Sequence, residues 1–224
     1  MLVIFWDFDG TLVHSTHLWS SSVYNALKQT DCNTTVEFGD IRKCMAVGFT
    51  WHTPDRDYSK MTGEKWWDFM IDKIRNDYLS LGVDEKTAVI ASAKVPDIIK
   101  KLENYILYDD TVETLKKSIQ KGNTNVVLSN NYPDLIDVLD GLDLSKYFDD
   151  VFVSAQIGYD KPRKEFFEYA KSKYPNENYI MIGDSVSADI VGGNNAGMTT
   201  VLVHNGYNAE ADFCFENLKD INLF

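Results

Sequence analysis

Short apolar runs alternate with amphipathic stretches over most of this chain. The first run, Leu2–Trp6, holds only apolar residues and is followed by a turn signal, which is typical of a central parallel strand buried on both faces. Later strands are predicted at 125–129, 150–154, 179–184 and 199–203. Helical patterns cover 111–121, 134–142, 164–174 and 189–196. Strands that alternate with helices predict an α/β fold with a doubly wound parallel sheet.

One long segment, 15–104, interrupts this alternation. Its apolar spacing predicts helices and no buried parallel strand. The helices are expected over 17–30, 40–46, 62–81, 84–93 and 96–102, with a loop over 47–60. We therefore expect a helical cap domain at 15–104, inserted into an α/β core domain made of 1–14 and 105–224.

Two carboxylates follow the first strand at once. Side chains alternate along a strand, so Asp7 and Asp9 project to one side, and Gly10 permits a sharp turn after them. Two neighbouring carboxylates repel each other and are costly to desolvate, a problem that a bound dication removes. Oxygen ligands suit Mg²⁺. The alternative is that these aspartates only cap the next helix.

The composition of the chain limits the kinds of partner that it can bind. The chain has 224 residues, of which 44% are hydrophobic and 13% aromatic, enough for a sizeable core. Its net charge of −12 argues against nucleic acid and against an anionic membrane surface as partners. A small phosphorylated substrate stays compatible, because a metal and one lysine can reverse the local field.

The cysteine content and the hydropathy of the chain indicate its cellular compartment. The three cysteines are scattered and form no Cys-x-x-Cys pair, so a reducing compartment is the simplest inference. The N-terminal apolar run is too short for a signal peptide, and no run approaches the ~20 residues that span a bilayer. We expect a cytoplasmic protein.

Polar residues follow the first four predicted strands. They are Asp7 and Asp9, then Ser129-Asn130-Asn131, then Asp160-Lys161-Pro162, then Gly183-Asp184-Ser185 with Asp189 close behind. Ligands of parallel sheets gather at the carboxyl ends of the strands. Singly, Ser129 could start a turn, Lys161 could be a solvated lysine and Asp184 could be an N-cap. Their joint placement at strand ends favours one shared site.

In this order, these motifs resemble those of the haloacid dehalogenase-like hydrolases, a superfamily dominated by phosphatases. The matching residues are Asp7-Phe8-Asp9-Gly10-Thr11, Leu128-Ser129-Asn130, Lys161-Pro162, Gly183-Asp184-Ser185-Val186-Ser187-Ala188-Asp189 and Asn195-Ala196-Gly197-Met198. The resemblance covers the whole α/β part and implies a Rossmann-like core. The helical insertion stands where these proteins carry a helical cap.

The resemblance implies a role for each motif. Asp7 would attack phosphorus and form an aspartyl-phosphate, and Asp9 would serve as acid and then as base. The Asp7 side chain, the Asp9 backbone carbonyl and Asp184 would hold Mg²⁺. The phosphate would be held by Ser129, by backbone N–H groups around Asn130 and by Lys161. Asp189 would orient Lys161 or metal-bound water.

Other residues are weaker candidates for substrate contact. His14 could touch the substrate or be a hinge histidine. Trp51, His52 and Arg56 on the cap loop could bind the leaving group, or the loop could simply pack on its own helices. Many relatives follow the lysine with Pro-Asp-Pro, whereas Lys161-Pro162 is followed here by Arg163-Lys164, which affects only the start of the next helix.

The residues thus predict a Mg²⁺-dependent phosphatase that acts on a small phosphate monoester. A sugar phosphomutase of the same superfamily is one alternative, and product analysis would separate the two. A catalytically silent binding protein is another, although such proteins usually lose the nucleophile or a metal ligand. No Gly-x-x-x-x-Gly-Lys motif supports a P-loop nucleotide hydrolase.

Overall fold

The structure, a computed structural model, describes residues 2–175 and 177–223. Its strands are β1 (Leu2–Trp6), β2 (Val13–His14), β3 (Ile106–Leu107), β4 (Thr124–Ser129), β5 (Asp150–Val153), β6 (Asn178–Gly183), β7 (Thr199–Val203) and β8 (Phe213–Phe215). Six of them form one parallel sheet in the order β5-β4-β1-β6-β7-β8. The predicted doubly wound α/β fold is confirmed.

Helices connect the strands and fill the long segment between β2 and β3. They are α1 (Leu18–Thr30), α2 (Phe38–Cys44), α3 (Glu64–Ser80), α4 (Glu85–Ile99), α5 (Thr111–Gln120), α6 (Leu135–Gly141), α7 (Ser154–Ile157), α8 (Lys164–Ser172) and α9 (Val191–Asn195). Short 3₁₀ helices occur at Thr50–His52, Leu102–Asn104, Ser145–Tyr147 and Leu218–Asp220, and a π-helix at Val186–Ile190.

The central strand β1 is buried on both faces, as its apolar run predicts. Ile4 and Trp6 pack into one hydrophobic core, and Val3 and Phe5 pack into a second core across the sheet. All four side chains are inaccessible to solvent. Trp6 at the end of β1 pairs with β4 on one side and with β6 on the other, so the carboxyl ends of these three strands lie together.

A small antiparallel ribbon marks both ends of the helical insertion. Val13 pairs with Leu107, and His14 pairs with Ile106. Between these strands, α1 packs against α2 and α4, and α3 packs against α4. Two-residue strands carry no periodic signal that sequence analysis could detect.

The insertion also makes backbone contacts with the rest of the chain. Tyr58 N donates to Gly158 O at 3.2 Å, and Gly63 N donates to Ala155 O at 2.9 Å. The indole Nε1 of Trp67 donates to Asp134 Oδ2 at 2.6 Å. The insertion therefore lies against α7, which follows β5, and against Asp134, which directly precedes α6.

Two helix predictions are wrong in detail. The segment 84–93 and the first part of 96–102 form one helix, α4, which continues through Pro96 and ends at Ile99. Pro96 lies in the last turn of α4 and has no N–H to donate to the carbonyl of Ser92. The helix predicted to begin at Thr62 begins at Glu64, after Gly63 at φ 60°.

Near the end of the chain, two further elements differ from the sequence-based predictions. The helix predicted over 189–196 is a π-helix, Val186–Ile190, that continues into α9. The edge strand β8 has three residues, fewer than the four to eight that make a strand detectable from its apolar run.

Within the described ranges, no helix combines the length and the apolar character needed to cross a bilayer.

Candidate active site

Side chains from four strand ends line one cavity of about 250 Å³. Its walls are formed by Asp7, Asp9, Ser129, Asn130, Lys161, Asp184, Ser185, Ala188 and Asp189. Each of the predicted catalytic, phosphate-binding and metal-binding residues lies in this wall. The parallel sheet brings them together because its strands end at a common edge.

Lys161 lies at the centre of the cavity wall and is buried. Its Nζ donates to Asp7 Oδ1 at 2.8 Å, to Asp189 Oδ1 at 2.6 Å and to Leu128 O at 2.8 Å. An ammonium group has three donors, and all three are used. Burial alone would lower the pKa of Lys161, but Asp189 and Asp7 together raise it. The lysine is therefore a fixed positive charge.

Asp189 is fully buried and uses both carboxylate oxygens. Oδ1 accepts from Lys161 Nζ, and Oδ2 accepts from Ser185 N at 3.0 Å. A Cβ on Gly183 would lie 2.1 Å from Asp189 Oδ2, so only glycine allows this close approach. In this geometry Asp189 holds the lysine in place.

Asn130 fixes the backbone of the same lysine. Its Nδ2 donates to Lys161 O at 3.0 Å, and its Oδ1 accepts from Lys161 N at 2.7 Å. Both polar atoms of the Asn130 amide are therefore engaged by the backbone of Lys161. Ser129 precedes it at the end of β4 and is buried in the cavity wall.

A second group of carboxylates fits a divalent cation. One ligand oxygen from each of Asp7, Asp184 and Asp189 lies within 4.8 Å of the others. Burial, followed by repulsion from Asp7, raises the pKa of Asp184 well above its ordinary value. A single lysine does not neutralise these acids, and their hard oxygen donors are those that Mg²⁺ prefers. The residues present thus fit the predicted metal.

The turn after β1 is shaped around Asp184. Gly10 has φ +83°, and a Cβ there would lie 2.3 Å from Asp184 Oδ2. Thr11 Oγ1 donates to Asp184 Oδ1 at 3.5 Å, and Asn205 Nδ2 donates to Asp184 O at 2.9 Å. Sequence analysis missed Asn205, because it lies in a loop beyond β7 that belongs to none of the motifs.

Asp9 differs from the other acids of the cavity. Its Oδ2 accepts from Asn131 Nδ2 at 2.7 Å. Its Oδ1 is buried, and no residue in the described part of the chain hydrogen-bonds to it. Burial, with the charge of Asp7 as the next cause, raises the pKa of Asp9 to about 7. Asp9 can therefore both hold and release a proton near neutral pH.

The weaker substrate candidates lie outside this cavity wall. His14 is exposed on β2, with its ring 5.0 Å from that of Tyr108. Arg56 is exposed, and its guanidinium lies 5.5 Å from the Tyr58 ring.

Trp51 and His52 lie in an aromatic cluster of the insertion, formed by Trp19, Phe49, Trp51, His52, Trp66 and Trp67. Trp51 stacks on Phe49 with 4.5 Å between ring centroids. Burial, followed by the charge of Lys73, lowers the pKa of His52. Trp51 is half-buried in this cluster, whereas His52 lies at its exposed edge.

Comparison with known proteins gives a consistent result. The model of the haloacid dehalogenase-like hydrolases matches residues 1–197. The HAD-hydrolase YfnB of Bacillus subtilis is 45% identical over 60 residues, 25% of this chain and 26% of YfnB. Pyrimidine 5'-nucleotidase YjjG of Escherichia coli is 35% identical over 85 residues, 36% of this chain and 38% of that protein.

A longer match is with glyceraldehyde 3-phosphate phosphatase of Methanothermobacter thermautotrophicus, which is 29% identical over 144 residues, 62% of this chain and 64% of that protein. The chain thus spans from about a quarter to just under two thirds of these relatives. A crystal structure of YfnB bound to magnesium has a TM-score of 0.72 at 20% identity and covers 97% of this chain and 95% of its own. The fold is shared over both full lengths, and the chain belongs to the haloacid dehalogenase-like hydrolases.

Proposed function

We propose that this protein is a Mg²⁺-dependent phosphatase that hydrolyses a small phosphate monoester through an aspartyl-phosphate. The observation that carries the proposal is the meeting of Asp7, Asp9, Lys161 and Asp184 in one small cavity. Relatives named as a nucleotidase and as a glyceraldehyde 3-phosphate phosphatase support this reaction class.

In this proposal Asp7 is the nucleophile. One of its oxygens accepts a hydrogen bond from Lys161 Nζ at 2.8 Å, which leaves the other oxygen to attack phosphorus. The P–O bond to the leaving group breaks as the Asp7–phosphorus bond forms. Water then attacks the phosphorus, releases inorganic phosphate and regenerates Asp7.

Asp9 is the proposed acid and base. In the first step it gives its proton to the oxygen that leaves phosphorus, and in the second it takes a proton from the attacking water. A pKa of about 7 suits both roles, since burial and Asp7 favour the protonated form before the first step. The same carboxyl group therefore ends the cycle in the state in which it began.

The phosphoryl group would be held by Ser129, by backbone N–H groups at Asn130 and by Lys161. These residues line the same cavity as the acids. Developing charge on equatorial phosphoryl oxygens is best stabilised by donors that are already in position. Lys161 would contribute its positive charge, which three hydrogen bonds hold in place before any substrate binds.

Mg²⁺ would be held by the side chains of Asp7 and Asp184 and by the backbone carbonyl of Asp9. When bound, it would neutralise phosphate charge and reduce the repulsion between substrate and carboxylates. Asp189 is a poor direct ligand, since both of its oxygens already accept hydrogen bonds.

We also propose that 15–104 forms a cap domain on a core of 1–14 and 105–224. The antiparallel β2–β3 ribbon joins the two connections. The insertion contacts α7 and the residue before α6 through Gly63, Tyr58 and Trp67. These elements follow β5 and β4, and this position fits a cap that shields phosphoryl transfer from bulk water. Leaving-group contacts by His14, Trp51, His52 or Arg56 remain predictions.

A panel of small phosphate monoesters tests the function. The purified chain should release inorganic phosphate from at least one of them with Mg²⁺, and EDTA should stop the reaction. Asp7→Asn should be inactive while keeping the wild-type melting temperature. Transfer of the phosphate within a sugar, with no inorganic phosphate released, would instead identify a phosphomutase.

A further inference from the structure

Asn131 lies beside the proposed acid and is buried. Its Nδ2 donates to Asp9 Oδ2 at 2.7 Å, and its Oδ1 accepts from Tyr132 N at 2.9 Å. A backbone N–H can only donate, so the oxygen of the amide must face Tyr132 and its nitrogen must face Asp9. The direction of the hydrogen bond to Asp9 is thereby fixed.

The backbone of Asn131 is held as well. Its N–H donates to Ser154 Oγ at 3.3 Å, and its carbonyl accepts from Ala155 N at 3.3 Å. Both partners belong to the start of α7. Since backbone and side chain are both anchored, the Nδ2 donor stays at one place in the cavity.

We propose that Asn131 is a positioning residue, which holds the Asp9 carboxyl group so that Oδ1 faces the leaving oxygen of the substrate. Oδ2 already accepts an N–H, so the transferable proton sits on Oδ1. That oxygen is buried and meets no hydrogen-bonding group among the described residues. This inference rests on the proposed phosphatase function.

With Asn131 in this role, the proton passes from Asp9 to the leaving oxygen as follows. As Asp7 attacks phosphorus, the bond to the leaving oxygen breaks, and its electron pair takes the proton from Asp9 Oδ1. Asp9 becomes a carboxylate, whose Oδ2 keeps the hydrogen bond from Asn131 Nδ2. A hydrogen bond to a charged acceptor is stronger than one to a neutral acceptor, so Asn131 favours the product of the transfer.

Two phosphate esters of similar shape distinguish a role of Asn131 in positioning Asp9 from a purely structural role. Phenyl phosphate loses a basic phenoxide that needs a proton, whereas 2,4-dinitrophenyl phosphate loses an anion that needs none. The parameter to compare is kcat/KM, because it covers the steps up to the departure of the leaving group. A purely structural effect would lower both values equally.

Three variants complete the design. Asn131→Asp keeps an acceptor for Tyr132 N but places an oxygen against Asp9. Asn131→Leu keeps the volume and removes both polar groups. Ser154→Ala removes the acceptor of the Asn131 backbone N–H without touching Asp9, and is the matched control. Thermal unfolding of each variant shows whether it is folded. If Asn131→Leu is unfolded, the comparison of the two esters is made with Asn131→Asp.

Both Asn131 variants should lose about 10–100-fold in kcat/KM on phenyl phosphate and less than about threefold on the dinitrophenyl ester. Ser154→Ala should leave the ratio between the esters at its wild-type value. Equal losses on both esters, or the same change of ratio in Ser154→Ala, would overturn the inference while the wild type remains a phosphatase. A wild type that releases phosphate from neither ester and from no member of the panel would overturn the proposed function, and this inference with it.

Discussion

The side-chain amide of Asn130 spans the backbone of Lys161. Asn130 Nδ2 donates to Lys161 O at 3.0 Å, and Asn130 Oδ1 accepts from Lys161 N at 2.7 Å. This pair of bonds ties the end of β4 to the loop that carries the lysine. Since Lys161 Nζ contacts both Asp7 and Asp189, the place of the positive charge in the cavity depends on Asn130.

Asn130→Ala should therefore lower both activity and stability. Removing the amide leaves the buried N–H of Lys161 without its acceptor, which costs about 1–3 kcal/mol in free energy of unfolding. We expect kcat to fall at least about tenfold, because the ammonium group is no longer fixed. Chemical denaturation and steady-state kinetics measure the two effects.

Asn104→Ala is the matched control for this experiment. Asn104 Nδ2 also donates to two backbone oxygens, those of Ile98 and Ile99, but lies outside the cavity wall. It should lower stability and leave kcat near the wild-type value. A wild-type kcat in Asn130→Ala would show that the lysine needs no such anchor.

Asp184→Asn should weaken Mg²⁺ binding. The amide offers one neutral oxygen in place of a carboxylate, and hard dications prefer charged oxygen ligands. In titrations followed by calorimetry, the apparent Kd should rise at least about tenfold. Asp68→Asn, at an exposed position on α3, controls for the loss of one negative charge. An unchanged Kd in Asp184→Asn would remove Asp184 from the proposed ligands.

The stabilisation by Mg²⁺ should increase with pH. Burial and the charge of Asp7 raise the pKa of Asp9 and of Asp184 from 3.8 to about 7. Between these values the folded metal-free protein binds more protons than the unfolded chain, so its stability falls as pH rises through about 7. Mg²⁺ competes with the same protons. The gain in Tm on adding Mg²⁺ should be larger at about pH 8 than at about pH 6; an equal gain at both would contradict this.

Substitution by alanine should affect stability differently at two of the cap-loop residues. Trp51 is half-buried and stacks on Phe49 and Trp66, so Trp51→Ala should lower the free energy of unfolding by about 2–3 kcal/mol. Arg56 is exposed, and Arg56→Ala should cost less than about 0.5 kcal/mol. If Arg56 binds the leaving group, its variant should lose kcat/KM on the best ester of the panel but not on 2,4-dinitrophenyl phosphate. Equal stability losses in both variants would contradict these packing roles.

The fold was largely predictable because its strands are buried and its helices amphipathic. β1 has four side chains without solvent exposure, and such a strand shows as an unbroken apolar run. The pattern fails where an element is short or contains an exception. β8 and the β2–β3 ribbon are too short to be periodic, and Pro96 suggested a break, whereas α4 continues through it to Ile99.

The site was predictable where a residue ends a predicted strand. Asp7, Ser129 and Asp184 follow this rule, and the parallel sheet brings them together. Asn131 also follows a strand, but its bond to Asp9 depends on the path of the chain after β4. Asn205 reaches Asp184 O from a loop beyond β7. Such contacts depend on loop conformation, which carries no periodic signal.

Trapping the proposed intermediate tests the central claim most directly. The Mg²⁺-loaded protein is mixed with excess of its best phosphate ester, quenched in acid within one turnover, and digested for mass spectrometry. The account predicts one added phosphoryl group on the peptide that contains Asp7, and none on that peptide from Asp7→Asn. Rapid turnover by the wild type with no phosphoryl group on Asp7, or with the group on another residue, would contradict it.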